Sequence, residues 1–432
     1  MTVKRSQAES IVGFLSFSNA SNDCAAAIEK FTPRQWEHML LWLDDTGLAF
    51  YFLQKLKETN STAIVPSSVL TQLEHNFASN DARVEAMSSR FSAINKRFND
   101  AGVRYAVVKG FSLVPEFCPG TSLRYQADFD YLISEESLAV ARRVLSEAEY
   151  DSRNSVSSKE FIFVTPGAKP RRGDAQYSPQ APHAVELHTD LWDSEMHGLE
   201  SIPRLFSVDN ARIRHWNGFS FPAQTDADAF LLQVLHACRH VFTQWIRLSN
   251  LFEISYFLNR RWSDTNFWRE IDERIGENTI VREFVVIVAE LARQLFAAPF
   301  PRLLHDWAAG IRRKPRVWIQ RYARDWALSE LPAYEFCLFP RSKLVLFLQQ
   351  QYLNPSGEME ATQENNAPSS RSSLRPLRIT SALRLKPSLL LSGEWRQTNR
   401  LIRRSVFYAL AQTRYLCEIP RWRWLTRTSA SR

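Results

Sequence analysis

Two aspartates that stand two residues apart are the feature of this sequence with the clearest chemical consequence. Asp128 and Asp130 lie in the run DFDYLI, whose β-branched and aromatic residues predict a strand. Because side chains alternate between the two faces of a strand, both carboxylates lie on one face and repel each other. A divalent cation relieves that repulsion, and hard carboxylate oxygens suit Mg²⁺. A solvent-facing strand with two acids is the alternative interpretation.

A third acid and a glycine turn extend this chemistry. The run AVELH predicts a second strand, in which Glu186 and His188 share one face. The run VVKG predicts a strand that ends at Lys109 and Gly110, where backbone N–H groups and a lysine can approach phosphates. An ordinary turn with a surface lysine is the alternative. Three acids beside a phosphate-facing turn suit nucleotidyl transfer, in which two metal ions bridge a triphosphate and activate an attacking hydroxyl.

The hydrophobic pattern divides the 432-residue chain into four parts that position these residues. Residues 1–99 carry apolar residues at helical spacing and are predicted to be a helical region. Residues 100–222 contain the short strand runs and are predicted to be the catalytic core. Residues 223–354 return to the helical period, and residues 355–432 are predicted to be a polar linker and a basic tail rich in Arg and Trp. The sequence therefore predicts an α+β fold, with a mixed β-sheet core between helical regions.

Around the acids the sequence resembles the uncharacterised nucleotidyltransferase family of bacteria, a branch of the polymerase-β-like nucleotidyltransferase superfamily. The family pattern is a strand ending in Lys-Gly, an Arg, an Asp-x-Asp strand, and a later strand of the type apolar-carboxylate-Leu-His. This chain has AGVRYAVVKGFSL, SLRYQADFDYLI and AVELHTDLW at the corresponding places. A helical lead-in with a Trp and a later pair of helices also match, so the resemblance covers residues 30–260. It implies a nucleotidyltransferase-like core.

The resemblance implies a metal-dependent active site. Asp128 and Asp130 would ligate Mg²⁺, with two ions expected and Mn²⁺ as an alternative. Glu186 would complete the site, either as a ligand of the catalytic metal or as the base for the acceptor hydroxyl. The implied reaction moves an NMP from an NTP such as ATP to an acceptor and releases pyrophosphate. The acceptor is left open among a protein hydroxyl, a small molecule and an RNA end.

The resemblance also implies a phosphate site. Lys109 and Gly110 would hold the triphosphate, and Arg124 would offer a bidentate fork to a phosphate. His188 would donate to a phosphate or orient Glu186, with a structural hydrogen bond as the alternative. Two departures from the superfamily concern this part of the site. The superfamily usually has Gly-Ser in place of Lys109 and Gly110, and the stretch from this turn to the Asp-x-Asp strand is longer than usual.

The positive charge is concentrated near the end of the sequence. The formal net charge is +8, while residues 368–432 contain 14 basic and two acidic residues, a net charge of +12 that leaves −4 for residues 1–367. This Arg-rich tail predicts an anionic partner, which is nucleic acid, an anionic membrane surface or an acidic protein. A solubilising tail that binds nothing is the alternative.

Cysteine usage argues against a zinc ribbon or a disulfide framework, and hydropathy argues against a membrane-spanning protein. The five cysteines include no C-x-x-C pair, and no stretch approaches the length of apolar sequence that a membrane span needs. These features favour a protein of the reducing cytoplasm, which can lie against a membrane through its tail. Two alternatives to the enzyme are a non-catalytic module that binds a nucleotide or a partner on the same fold, and a nucleic-acid-binding protein that acts through the basic tail.

Other candidate residues have simpler explanations. His236 and His240 stand four residues apart on a predicted helix, but the acid of the H-E-x-x-H motif is absent, so core or helix-end histidines are the preferred interpretation. Arg247 and Glu253 resemble family positions and are expected to line the cleft, with a surface ion pair as the alternative. Cys238 has no partner for nucleophilic chemistry and is interpreted as a buried apolar residue.

Overall fold

The computed structural model describes residues 3, 5–18, 21–153, 158–166, 176–192, 204–242, 247–328, 343–352 and 394–427. These residues belong to two units, residues 1–341 and residues 342–432. Within residues 355–432, the polar stretch that predicts the linker is residues 355–376, and it lies outside the described residues. The division of the chain into helical regions, catalytic core and tail at the boundaries given above remains a prediction.

Helices form the N-terminal part of the first unit. In chain order they are α1 (Arg5–Phe14), α2 (Ser21–Glu29), α3 (Pro33–Thr46), α4 (Ala49–Glu58) and α5 (Ser67–Asp100). A capping box starts α3: the Thr32 side chain accepts a hydrogen bond from the backbone N–H of Gln35, and the Gln35 side chain accepts one from the backbone N–H of Thr32 at 2.7 Å. Together with Pro33 at the first helical position, this cap explains why the helix begins at Pro33.

A seven-stranded mixed sheet lies at the centre of the first unit. Its strands are β1 (Tyr105–Val108), β2 (Asp128–Ile133), β3 (Asp151–Ser152), β4 (Glu160–Val164), β5 (Ala184–His188), β6 (Arg212–Trp216) and β7 (Phe219–Ala223). They lie in the order β3-β4-β5-β2-β1-β7-β6. Strand β2 pairs with β5 in parallel and with β1 in antiparallel orientation, and β1 pairs with β7 in parallel. The sheet and the helices around it confirm the predicted α+β fold.

The long helix α5 covers one face of this sheet and also packs against α6 (Leu138–Glu147), which follows β2. Phe91 of α5 packs against Phe129 and Tyr131 of β2, with ring centroids 5.5 and 6.1 Å apart. Phe129 and Tyr131 are 1% and 0% exposed. Their burial determines the face that each residue of β2 takes, because a shift of one residue would turn every side chain to the other face. The aspartates of β2 therefore lie on the opposite face.

A second group of helices follows the sheet. These helices are α7 (Asp226–Phe242), α8 (Leu248–Arg261), α9 (Thr265–Ile275), α10 (Thr279–Phe296), α11 (Arg302–Gly310), α12 (Arg313–Trp318) and α13 (Arg324–Ala327), with a π-helical stretch at Ile319–Ala323. Helix α10 is buried along most of its length and packs against both α7 and α8. Burial between helices thus explains the apolar character of this region.

The second unit contains a short helical segment and one long helix. A 3₁₀ turn at Lys343–Val345 leads into α14 (Leu346–Gln349), and α15 spans Glu394–Thr426. Phe347 of α14 packs against Tyr415 and Trp422 of α15, with ring centroids 4.8 Å apart in both pairs. None of the helices in the described residues combines the length and the apolar character that crossing a membrane requires.

Candidate functional site

The acids of β2 and β5 meet because the two strands run side by side in parallel. Their register pairs Asp130 directly with Glu186, and neighbouring strands lie about 4.8 Å apart. One oxygen of each carboxylate and one ring nitrogen of His188 lie within 4.8 Å of one another. The Nε2 atom of His188 is 3.3 Å from Oδ1 of Asp130 and 3.6 Å from Oε2 of Glu186. We call these three residues the Asp130–Glu186–His188 cluster.

Asp128 lies on the same face of β2 but is not one of the three residues whose donor atoms converge. Its side chain is half-buried. Burial and the negative charges of Asp130 and Glu186 raise the pKa of Asp128 to about 7, while Lys109 and Arg124 act in the opposite direction. The role of Asp128 as a metal ligand remains a prediction.

The cluster holds a positive imidazolium beside two negative carboxylates. Burial acts to raise the pKa of Asp130, but the charge of Lys109 and the hydrogen bond from His188 outweigh burial and hold that pKa well below its usual value. Burial also disfavours the protonated form of His188, but hydrogen bonds to Asp130 and Glu186 raise the pKa of His188 to about 9. The protonated ring of His188 therefore donates to Asp130 at neutral pH.

Lys109 reaches the same carboxylate from the end of β1. Its Nζ atom donates to Oδ1 of Asp130 at 2.8 Å, and the two side chains are 18% and 3% exposed. Burial disfavours the ammonium form, but the charges of Asp130, Glu186 and Asp128 outweigh burial and raise the pKa of Lys109. The structure thus brings Lys109 to the acids, while its contact with a triphosphate remains a prediction.

The backbone at Lys109 has an unusual conformation. Its φ is 60° and its ψ is −159°, a region that glycine populates almost alone and that costs other residues about 1–3 kcal/mol. Gly110 follows with a φ of 51°, and a Cβ atom there would lie 2.5 Å from Nε2 of Gln126. The positive φ and the close approach of Gln126 therefore favour glycine at position 110, whereas position 109 keeps a strained lysine. This strain points to a role for the lysine side chain.

Arg124 is held by a buried ion pair. Its Nε atom donates to Oε1 of Glu253 at 2.7 Å, and the two side chains are 16% and 3% exposed. The Tyr51 hydroxyl donates to the same oxygen at 2.9 Å. The surface ion pair considered for Glu253 is therefore wrong, since Glu253 is buried and pairs with Arg124. The contact of Arg124 with a phosphate remains a prediction.

Two histidines on α7 lie in the electrostatic field of this site. The Nε2 atoms of His236 and His240 are 2.9 Å apart. Burial lowers the pKa of His236 well below its ordinary value, and the charges of His240, Lys109 and Arg124 lower it further. Burial and these cations thus favour the neutral form of the His236 ring. The spacing of four residues in the sequence predicts that the two histidines lie on the same side of the helix. It does not predict which part of the protein that side packs against.

Two side chains of α5 form hydrogen bonds with the backbone of the loop before β2. Neither residue belongs to a recognisable sequence motif. Arg83 is 1% exposed and donates to the backbone carbonyl oxygens of Gln126, at 3.3 Å, and Ala181, at 2.8 Å. Asn80 donates to the carbonyl oxygen of Arg124 at 3.0 Å. Because these carbonyls precede β2 and β5, Arg83 and Asn80 hold the segments from which the two strands start. Sequence patterns miss this role because the partners are distant along the chain.

The donor set of the cluster fits a hard divalent cation. Asp130 and Glu186 offer carboxylate oxygens, and His188 offers a ring nitrogen within the same group. Carboxylate oxygens suit Mg²⁺ and Mn²⁺, and the ring nitrogen also admits transition metals. A cation that binds here competes with Lys109 and His188, because both donate to Asp130.

The fold and the cluster define the class of the protein. A mixed sheet in which an Asp-x-Asp strand faces an acid of its parallel neighbour has the form of a nucleotidyltransferase-like core. The model of the family described as "Uncharacterised nucleotidyltransferase" matches residues 32–297. The chain therefore belongs to the uncharacterised nucleotidyltransferase family, as the resemblance implied, and the match includes the sheet, the acids and helices α3 to α10. No curated protein matches the chain.

Proposed function

We propose that this protein transfers a nucleoside monophosphate from an NTP such as ATP to an acceptor hydroxyl. The acceptor oxygen forms a bond to the α-phosphorus, the bond from that phosphorus to the bridging oxygen breaks, and pyrophosphate leaves. The observation that supports this proposal most is the register of β2 and β5, which sets Asp130 opposite Glu186 and creates the Asp130–Glu186–His188 cluster. Membership of a nucleotidyltransferase family supports the same class of reaction.

In this proposal the acids of the sheet hold the metal. Asp130 and Glu186 are the ligands that the cluster supports, and Asp128 is the further ligand that the family pattern implies. Two Mg²⁺ ions, or Mn²⁺ in their place, would neutralise charge on the phosphates and lower the pKa of the attacking hydroxyl. Glu186 is half-buried beside Asp130, and it either ligates the metal or accepts the proton of the acceptor hydroxyl.

The cations around the cluster are proposed to bind the triphosphate. Lys109, Arg124 and His188 supply positive charge and N–H donors, and the backbone N–H of Gly110 adds a neutral donor. Lys109 donates to Asp130 at 2.8 Å, so it is expected to leave that carboxylate when a cation binds. Its ammonium group is then available for a phosphate oxygen. The acceptor stays open among a protein hydroxyl, a small molecule and an RNA end.

Pyrophosphate release and transfer of labelled NMP test the proposal. The protein is supplied with Mg²⁺, each NTP in turn and a cell extract as the source of acceptor. The test variant combines Asp128→Asn with Asp130→Asn, and the matched control is Asp151→Asn on β3, where the aspartate is exposed. We expect the wild type and the control to label a discrete acceptor, and the double variant to lose about 10³-fold in rate. Transfer at the wild-type rate by the double variant would contradict the proposal.

A second candidate function is a module that binds a nucleotide or a partner without turnover. One observation favours it: Lys109 and His188 both donate to Asp130, so positive charge already balances the carboxylates without a metal ion. Calorimetric titration with an NTP distinguishes the two functions. Binding that needs no Mg²⁺ and leads to no pyrophosphate release would identify the binding module.

The basic tail is proposed to bind an anionic partner, which is nucleic acid or an anionic membrane surface. If nucleic acid were the main ligand of the protein, binding would weaken steeply as salt rises and would survive the loss of Asp128 and Asp130. A cytoplasmic location, at a membrane surface when the tail binds lipid, is part of the same proposal.

A further inference from the structure

The long helix of the second unit carries an unusual number of exposed apolar side chains. Among the residues whose exposure the structure describes, which on α15 are residues 405–406 and 409–426, the large apolar side chains that are more than half exposed are Ile213 (62%), Trp262 (52%), Val406 (53%), Leu410 (66%), Leu416 (53%) and Trp424 (71%). The last four all lie on α15. Single exposed apolar residues are ordinary on a protein surface, whereas a group of them on one element marks a binding surface.

Three of these side chains point in one direction. Leu410 follows Val406 by about one helical turn and Trp424 follows it by about five turns, so they lie within about 40° of one another around the helix axis. Cys417 is exposed on the same line. Pro420 lies inside the helix, but the helix continues through it to Thr426, so the line continues past the proline to Trp424. We call Val406, Leu410, Cys417 and Trp424 the apolar strip.

The opposite side of α15 is covered within the second unit. Trp422 is 6% exposed and stacks on Phe347, with ring centroids 4.8 Å apart and ring planes 13° apart. The Tyr415 ring packs against the same phenylalanine, and Gln350 donates to the Tyr415 hydroxyl at 3.3 Å. The apolar strip is therefore the side of α15 that the described residues leave exposed.

Arginines border the apolar strip on both sides. Arg414 and Arg421 lie on one side of it, Arg423 and Arg427 lie on the other, and all four are exposed. Around the helix axis they stand roughly 60–100° from the direction of Val406, where Arg427 directly follows the last residue of α15 and its backbone N–H donates to the carbonyl oxygen of Arg423. The exposed face of α15 thus has an apolar centre that includes a tryptophan and a positively charged border on each side.

We infer that this face binds the surface of a membrane that contains anionic lipids, with α15 lying in the plane of the interface. The apolar strip inserts between the headgroups, and the bordering arginines pair with anionic headgroups. A nucleic acid would use the same arginines and Trp424, but exposed aliphatic residues such as Val406 and Leu410 do not stack on bases. The inference stands whether or not the first unit transfers nucleotides, because it concerns binding alone.

Sedimentation of the full chain with vesicles tests the inference. Vesicles of phosphatidylcholine are compared with vesicles of phosphatidylcholine and anionic phosphatidylglycerol. The variant Leu410→Ser with Trp424→Ser removes the apolar side chains and keeps the arginines, and the matched control is Trp262→Ser, which removes an exposed tryptophan from the first unit. We expect the wild type and the control to bind the anionic vesicles, and the double variant to bind at least about tenfold more weakly. Equal binding by the double variant would overturn the inference.

The contribution of the bordering arginines to membrane binding is tested separately. Arg414→Gln and Arg421→Gln are each expected to weaken binding to anionic vesicles about fivefold at low salt.

Insertion of the apolar strip is tested with a polarity-sensitive fluorophore on Cys417. Its emission is expected to shift to the blue with anionic vesicles and not with single-stranded RNA. For specific labelling the chain carries Cys24→Ser and Cys337→Ser, since Cys118 and Cys238 are buried. Binding to RNA without binding to anionic vesicles would overturn the inference in favour of a nucleic-acid partner.

Discussion

The Nζ atom of Lys109 lies 2.8 Å from Oδ1 of Asp130, in the place of a counterion for the acids of β2 and β5. The lysine reaches that place from a backbone conformation that glycine favours, with a φ of 60°. An ammonium group and a divalent cation compete for one carboxylate because both are attracted by the same negative charge. Binding of a cation and departure of Lys109 from Asp130 are therefore expected to be coupled.

Replacement of the lysine should raise the affinity of the site for a metal ion. Lys109→Met removes the competing charge and keeps most of the side-chain volume, so we expect it to bind Mn²⁺ about tenfold more tightly than the wild type. Electron paramagnetic resonance of free Mn²⁺, without nucleotide at pH 8, measures the affinity. Lys96→Met is the matched control because the Lys96 side chain is 75% exposed. An unchanged or weaker affinity in Lys109→Met would show that lysine and metal do not share the carboxylate.

The strained backbone at position 109 makes a second prediction. Lys109→Gly and Lys109→Ala both lose the ammonium group, but only glycine fits a φ of 60° and a ψ of −159° without strain. After the greater entropy of glycine in the unfolded chain is allowed for, we expect the glycine variant to have a free energy of unfolding about 1 kcal/mol above that of the alanine variant. Urea denaturation measures the difference. Equal stability of the two variants would mean that the backbone carries no strain.

The buried pair of Arg124 and Glu253 makes a third prediction. Arg124→Met leaves Glu253 buried without its cation, so we expect the free energy of unfolding to fall by about 3–5 kcal/mol. The double variant with Glu253→Met should lose less, because no buried charge is left unpaired. Tyr51→Phe removes one hydrogen bond to Glu253 and should cost about 1–3 kcal/mol. Urea denaturation of all variants gives the values, and a double variant less stable than Arg124→Met would contradict the prediction.

We predict that the folded protein loses stability in mild acid because of His183. Its ring is enclosed between Arg90, 3.2 Å from Nδ1, and the Tyr150 hydroxyl, 2.6 Å from Nε2. Burial and the charges of Arg90 and Arg83 lower the pKa of His183 from 6.5 to about 4. The unfolded chain therefore binds a proton at a higher pH than the folded chain does. The contribution of His183 to stability is complete above about pH 6.5 and is lost as the pH falls toward 4, by about 3 kcal/mol in all.

The measurement for His183 is the free energy of unfolding as a function of pH. The variant His183→Gln keeps a polar side chain and removes the titrating ring. We expect the wild type to lose about 2–3 kcal/mol more than this variant between pH 7.5 and pH 4. Parallel pH profiles for the two proteins would show that His183 titrates alike in the folded and the unfolded chain.

Features that depend on short-range periodicity can be predicted from the sequence alone. The alternation of side chains along a strand puts Asp128 and Asp130 on one face, because Phe129 and Tyr131 must be buried on the other. The Thr32 cap and the helical spacing of apolar residues predict the start of α3 in the same way. These features need only a few neighbouring residues, so one sequence is enough to recognise them.

Which of these elements meet depends on contacts between residues that are far apart in the chain. Strand β5 lies beside β2 although β3 and β4 come between them in the chain, and that pairing alone sets Glu186 opposite Asp130. The contacts of Lys109 with Asp130 and of Arg124 with Glu253 likewise join distant parts of the chain. Such contacts depend on strand order, on register and on the packing of helices against the sheet, which no local spacing encodes. For the same reason the composition of the tail predicted an anionic partner, while the packing of α15 decided which of its faces is exposed.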